Sequence, residues 1–371
     1  MRVVICGGGV IGASTAYFLS RRGAEVVVVE RREVACAASG RSGAFLARDW
    51  SAGTLLDAMA RRSFDLHALL PDEIGGHWGF HRLDTYGGFA VGVQDARRHR
   101  PADVEWLADG VIIGGSLGSP LTTAVIHPAA FTTAMMRAAQ GLGAELRRGA
   151  VTGVVRRVGG AIVEGVEVDG EFLRGDAVVI AMGPWSLLAA AWLPLPGVFA
   201  DKGHSIVFDT GTAGPTDALF LEYQEPSGVL LEPEVFPRAD GTTYVTAGSS
   251  RGALPLDPAH VAPDPGGIER LQEVCGRLSP VLAEARVIAR HASYRPVTLD
   301  NLPLIGRVPG VAGGYVATGH GGWGMLNAPA TGEAVAELII DGVAHSTDLT
   351  PFDPDRLRPL DPALLRTGRA P

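Results

Sequence analysis

Val3 to Gly12 reads VVICGGGVIG and carries the spacing Gly7-x-Gly9-x-x-Gly12. Its surroundings decide what that spacing means. Arg2 to Cys6 is a β-branched run, a helical stretch follows from about Ile11 to Arg22, and AEVVVVE then reads as a buried parallel strand ending at Glu30. Strand, glycine turn, helix and strand fall within about thirty residues, the context that a dinucleotide fingerprint requires. Gly7 permits the tight turn, Gly9 lets a pyrophosphate approach the backbone, and Gly12 lets helix and strand pack closely. The helix aims its first amides and its dipole at the phosphates. Glu30 is placed to accept hydrogen bonds from the adenosine ribose hydroxyls and would repel a 2'-phosphate, so NADP is disfavoured. Between NAD and FAD this unit alone does not choose.

The bulk numbers set the frame. At 371 residues the chain exceeds one hydrophobic core, so two domains are expected. With 46% hydrophobic and 19% charged residues it reads as a soluble globular protein, and a net charge of -8 argues against a nucleic-acid partner. Of 32 basic residues only Lys202 is lysine, a bias that coding preference explains. Cys6, Cys36 and Cys275 are far apart, which fits reduced thiols rather than a disulfide framework or a metal site, and no metal is expected. The first strand begins at Arg2 with no secretory signal before it, so a cytoplasmic location is expected. Ala177 to Ala200 is uncharged, but Gly183-Pro184, Pro194 and Pro196 break it into a buried strand, a turn and a short helix rather than a membrane span.

Two later stretches add to the first. RREVACAASGRSGAFLARDW, after Glu30, is rich in small residues that would let backbone approach a long cofactor, though a surface loop has the same composition. GGYVATGHGGWGM, near the other end of the chain, repeats the order of strand, glycine loop and helix, so a second helix terminus is available to an anionic group.

CGGGVIG…VVVVER, AASGRSGAF, GAVTGVV, VVIAMGPWS and RPVTLDNLPLIG…GHGGWGMLNAPATG occur in that order. In these pieces the chain resembles the D-amino-acid-oxidase-type flavoprotein superfamily, in particular its glycine oxidase and sarcosine oxidase branch. EVFPRADGTTYVTAG is similar to a subgroup of oxidoreductases with loosely defined substrates. The resemblance implies FAD. It implies Val10 and Ile11 by the pyrophosphate, Glu30 and Arg31 around the adenosine ribose, and Ala38 and Ser39 near the phosphates. It puts Gly43, Ala44 and Phe45 at the flavin ring, Val151 at adenine, and the strand ending at Gly183 alongside the cofactor. His320, Gly321, Gly322, Trp323, Gly324, Met325 and Leu326 would bring backbone amides to the N1–C2=O edge of the flavin, where a helix terminus stabilises the anionic reduced ring.

Family members pass hydride from the carbon next to nitrogen to flavin N5, the imine hydrolyses, and oxygen commonly reoxidises the flavin. Arg295 in SYRPVTLD resembles the arginine that clamps a substrate carboxylate, a pairing with charge and angular control, although a salt bridge between domains would use the same residue. His320 is considered as a base or covalent anchor against a plain structural hydrogen bond, and Trp323 as a cavity wall against simple packing. Lys202 is considered as the cation that assists oxygen reduction, but the family lysine belongs to the region matching PRADGTTYV, which has none. The cysteine attachment known near the Arg295 stretch has no counterpart either, so noncovalent FAD is expected.

The architecture implied is α/β: a discontinuous Rossmann-type FAD-binding domain from 1–75, 126–192 and 293–371, and a smaller, mostly antiparallel substrate domain from 76–125 and 193–292. A helix is expected at GGIERLQEVCGRL, and the tail DPALLRTGRAP is expected to be mobile. The expected activity is oxidation of a small amino acid or N-substituted glycine with O2 as acceptor. An FAD dehydrogenase with another acceptor and a flavin-bound protein without turnover are the alternatives. An NAD enzyme leaves GHGGWGM unexplained.

Overall fold

In the computed structural model, which describes residues 1–91, 106–157, 159–225 and 227–366, the run Arg2–Cys6 lies inside a six-stranded sheet. The sheet order is Leu304–Arg307, Gly314–Thr318, Ala177–Ile180, Arg2–Cys6, Glu25–Glu30, Glu145–Arg148. All are parallel except Leu304–Arg307, which runs against Gly314–Thr318. Side chains alternate across each strand, so Val3, Ile5, Val26, Val28 and Val179 enter one core and Val4, Cys6, Val27, Val29 and Val178 another. The first core lies under helices Val10–Arg21, Asp57–Ile74, Pro128–Gly141 and Gly324–Ile340. The second lies against an antiparallel sheet of Val151–Arg156, Val163–Val168 and Glu171–Arg174 and the 3-10 segment Gly183–Ala191. Burial on both faces is why Arg2–Cys6, Glu25–Glu30, Ala177–Ile180 and Gly314–Thr318 read as largely apolar runs. Among the described residues no helix is long and apolar enough to cross a membrane.

Helix Gly324–Ile340 crosses Val10–Arg21 so closely that a Cβ on Gly332 would lie 2.6 Å from the carbonyl carbon of Ser14. Pro329 breaks this helix internally, because it has no N–H for the Met325 carbonyl. Helix Asp57–Ile74 mends the break. His67 Nε2 donates to the Met325 oxygen at 2.9 Å and lies 3.2 Å from that of Leu326, while Ser63 Oγ accepts from the Ala330 amide at 3.1 Å.

A second sheet of nine strands is organised around Phe199–Asp209, which pairs with Thr242–Ala247, Ser250–Arg251 and Arg286–Val297. Pro233–Pro237, Ala218–Gln224, Leu230–Leu231, Thr85–Val91 and Val111–Gly118 complete it. Among the described residues only Ala218–Gln224 and Thr85–Val91 pair in parallel, so the sheet is mostly antiparallel. Helix Gly267–Leu278 covers one face, packing Ile268, Leu271 and Val274 on Ile206, Val235 and Val245. The other face looks toward the six-stranded unit. Arg286–Val297 runs through position 293 without interruption, so the chain leaves this sheet a few residues later than the expected boundary. At the C-terminus Ala363–Arg366 forms one helical turn; residues 367–371 of the tail, like 92–105, lie outside the described residues.

Candidate active site

A cavity of about 660 Å³ runs from the first glycine turn to the uncovered face of the nine-stranded sheet. At its near end Gly7 has φ +112°, and a Cβ there would lie 2.4 Å from the Ala181 carbonyl oxygen. A Cβ on Gly12 would lie 2.0 Å from the Gly7 oxygen, so helix and turn touch only because both residues lack side chains. Gly12 therefore packs behind the cavity, while Gly7, Gly9, Val10 and Ile11 line it. The helix starts at Val10 behind a Gly9 cap, and the Val10 amide donates to Ser39 Oγ at 2.9 Å. Ser39 reaches it from the short helix Ala38–Arg41, and Ala38, Gly43, Ala44 and Phe45 line the same wall.

Glu30 closes on the backbone. Its Oε2 accepts from the Gly8 amide at 2.6 Å and its Oε1 from the Arg32 amide at 2.9 Å. Arg31 also lines the cavity, but its guanidinium donates to the Leu256 carbonyl at 2.6 Å, and Arg32 is paired with Asp257. That guanidinium holds the Asp257 carboxyl well below the usual carboxylate range. Trp185 Nε1 donates to the Pro255 carbonyl at 2.8 Å and Tyr294 to that of Ala253 at 2.7 Å. A strap over 253–258 is thus tied across the Glu30 end of the cavity, a feature that no motif announced. Val151 and Gly149 line this end as well, and Gly183 lines the middle, its carbonyl accepting from Thr318 Oγ1 at 3.0 Å.

At the second glycine turn, strand Gly314–Thr318 leads into the 3-10 turn Gly321–Trp323 and helix Gly324–Ile340. His320, Gly321, Gly322, Trp323, Gly324 and Met325 line the cavity, whereas Leu326 is buried behind it. Burial pushes the His320 imidazole down to about 3, so it is neutral, and its Nε2 lies 3.1 Å from Thr331 Oγ1. Trp323 lines the cavity and also meets Trp50 edge-on, with ring centroids 6.0 Å apart. Asn327, in the first helical turn, is buried and faces the cavity, and its Oδ1 has no partner among the described residues.

The far wall is made by strand pairing. Asp201 is opposite Arg295, Gly203 opposite Ser293, Phe220 opposite Glu234, Glu234 opposite Thr246 and Phe236 opposite Tyr244. Directly paired residues share a face, and all of these line the cavity. Among the described residues the Arg295 guanidinium makes no hydrogen bond or salt bridge. Lys202, considered as a cation for oxygen reduction, is not on this wall. One residue beyond Asp201, it points through the other face, over the Tyr294 ring and 2.5 Å from Asp264 Oδ1, away from the cavity. Of the residues expected from sequence, Gly12, Lys202 and Leu326 stand off the lining and the rest meet there. Glu234, Asp201 and Asn327 join them without having been anticipated; the alternating pattern of their strands was the available signal for the first two. Among the described residues no cluster of His, Cys, Asp and Glu is arranged to hold a metal ion.

Residues 2–338 match the family model of FAD dependent oxidoreductases. The glycine oxidase of Pseudomonas aeruginosa is 30% identical over 376 residues, covering 95% of this chain and 98% of that protein. An oxidoreductase-like protein of Schizosaccharomyces pombe is 27% identical over 379 residues, covering 95% of this chain and 97% of its own. The crystal structure of glycine oxidase from Geobacillus kaustophilus superimposes with a TM-score of 0.80 over 95% of this chain and 98% of that one, at 23% identity, which is a likeness of fold. Joined to a dinucleotide-type glycine turn at one end of the cavity and a second helix terminus at the other, this match means that the chain belongs to the FAD-dependent oxidoreductase family, on its glycine oxidase and sarcosine oxidase branch.

Proposed function

We propose that the protein oxidises the C–N bond of a small amino acid or N-substituted glycine, with noncovalent FAD in the cavity and O2 as acceptor, releasing H2O2. The residues present fit the cofactor: a glycine cradle that no Cβ can enter, a helix N-terminus at each end, and a buried Asn327 oxygen that lacks a donor. Gly7, Gly9, Val10, Ile11, Glu30, Ala38, Ser39 and Val151 would hold the dinucleotide, and Gly43, Ala44, Phe45 and the turn from Gly321 to Met325 the ring. When bound, FAD supplies hydride acceptance. The chain's own part is to hold the substrate, exclude water and leave its reacting carbon facing the ring.

Arg295 carries the reading. It is a guanidinium on the cavity wall without a protein partner among the described residues, on a sheet that also presents Phe220, Phe236 and Tyr244. A carboxylate is the ligand that such a group pairs with in two parallel hydrogen bonds. The Arg295→Ala variant is expected to retain FAD while losing bleaching of the flavin by amino acids under anaerobic conditions. Bleaching at the wild-type rate would overturn the assignment.

A second reading concerns the acceptor. The chain's one lysine is held by Asp264 on the far side of the sheet, which favours a dehydrogenase that passes electrons to something other than oxygen. One H2O2 per turnover supports the oxidase; turnover only with an artificial acceptor supports the dehydrogenase. We also take 1–75, 126–192 and 293–371 as the FAD unit and 76–125 with 193–292 as the substrate unit. The two sheets support that division, except that strand Arg286–Val297 carries the substrate unit's sheet on to Val297. The cysteines, buried at Cys6 and Cys275 and half-buried at Cys36, are free, which supports a reducing, cytoplasmic setting.

A further inference from the structure

The wall that carries Arg295 also carries a carboxyl group for which the reading above has no use. Glu234, on Pro233–Pro237, is paired with Phe220 on one side and Thr246 on the other, and opens into the cavity. Among the described residues it makes no hydrogen bond or salt bridge, in contrast to Glu30, which closes on two amides. A partly buried carboxylate without a donor is costly unless a ligand provides one.

The charges around it come from every neighbouring strand. Arg295 on Arg286–Val297 favours its ionised form and Glu232, just before its own strand, opposes it. Asp201 on Phe199–Asp209 and Tyr244 on Thr242–Ala247 share the wall. Ala218–Gln224 presents uncharged Phe220 opposite it and exposed Glu222 farther along. Burial is the largest influence and pushes the Glu234 carboxyl upward, which makes it a better proton acceptor than a surface carboxylate.

We propose that Glu234 receives the ammonium group of the bound substrate and takes one proton from it. The inference rests on the amino-acid reading of this cavity. Arg295 meets the substrate carboxylate and Glu234 its nitrogen, so the two ends of a zwitterion face opposite charges on one sheet. The balance is complete: an N–H bond breaks, an O–H bond forms on Glu234, and the electron pair stays on nitrogen. The neutral amine then has the lone pair that expels hydride from the adjacent carbon; the ammonium has none.

The test is Glu234→Gln in the holoenzyme, with two readouts. The first is anaerobic bleaching of the flavin by glycine and by N-methylglycine between pH 6 and 10. At pH 7 the variant should be about a hundredfold slower than wild type, the low end for loss of a positioned proton acceptor. Its rate should then climb about tenfold per pH unit toward wild type as water removes the substrate proton. The second is perturbation of flavin absorption by acetate, a carboxylate without nitrogen. E234Q should bind acetate about tenfold more tightly, because a repelling charge has gone.

Unchanged bleaching overturns the proposal, and so does a loss that is equal at every pH with acetate binding weakened, the mark of structural damage. Absence of bleaching in wild type at every pH refutes the amino-acid reading itself. The acetate arm then judges Glu234 alone, and equal acetate affinity in the two proteins removes it from the charge balance of the cavity.

Discussion

Mild acid should weaken this fold through two histidines that are buried as neutral rings. Burial pushes His67 down to about 4 and His320 to about 3. The unfolded chain takes up a proton at each site near the ordinary value of about 6.5, while the folded protein does not. Their stabilising contribution is therefore whole above that value and falls as pH drops toward the folded values. At pH 5.5 each unfolded site is about nine-tenths protonated, which costs about 1.4 kcal/mol per histidine, or about 3 kcal/mol for the two relative to pH 7.5. His127, His204 and His291 are also shifted downward by burial and add with the same sign. Glu234, which burial pushes upward, acts in the opposite sense as pH falls, whereas carboxylates held low by a partner do not enter this window. Asp300, brought down to about 2 with the help of Arg356, loses its contribution only as pH falls below the ordinary value of 3.8. The assay is urea unfolding of the FAD-saturated protein at pH 7.5 and 5.5, in wild type, His67→Gln and His320→Gln. Glutamine keeps a neutral donor at position 67 but cannot titrate. H67Q should sacrifice some stability at pH 7.5 and recover about 1.4 kcal/mol of the acid sensitivity. An H67Q protein with the full pH dependence of wild type would refute the assignment.

Other expectations concern packing and the strap. Gly332→Ala pushes a methyl group into the backbone of Ser14 and should cost about 1–3 kcal/mol, read as a lowered Tm, whereas Gly141→Ala, with open space around it, should be neutral or slightly stabilising. Arg32→Ala unties Asp257 from the Glu30 end of the cavity and should speed FAD dissociation, followed by flavin fluorescence after dilution; it should also remove most of the salt dependence of that rate. An unchanged release rate would mean that the strap does not retain the cofactor.

What was legible in the sequence, and what was not, divides along physical lines. Both glycine turns could be read because their demand is local: Gly7 and Gly321 need a positive φ, and Gly12 needs room beside its own turn. The clasp on helix Gly324–Ile340 could not. Pro329 announces a carbonyl without a donor, but the donor, His67, is 258 residues away from that carbonyl in the chain. The strap over 253–258 escaped because, apart from the Arg32–Asp257 pair, its ties end on the backbone carbonyls of Ala253, Pro255 and Leu256, which every sequence offers equally. Lys202 is a different case, because the information was present and needed one more step. Ile206 and Phe208 enter the core under helix Gly267–Leu278, so even-numbered positions of Phe199–Asp209 point toward that helix and odd-numbered ones toward the cavity. Lys202 goes with the first set, and Asp201 and Gly203 with the second. The same alternation on Pro233–Pro237 sends Val235 into the core and both Glu234 and Phe236 to the wall. Strand alternation anchored on one apolar residue thus removes a lysine from the chemistry of this cavity and brings a glutamate into it.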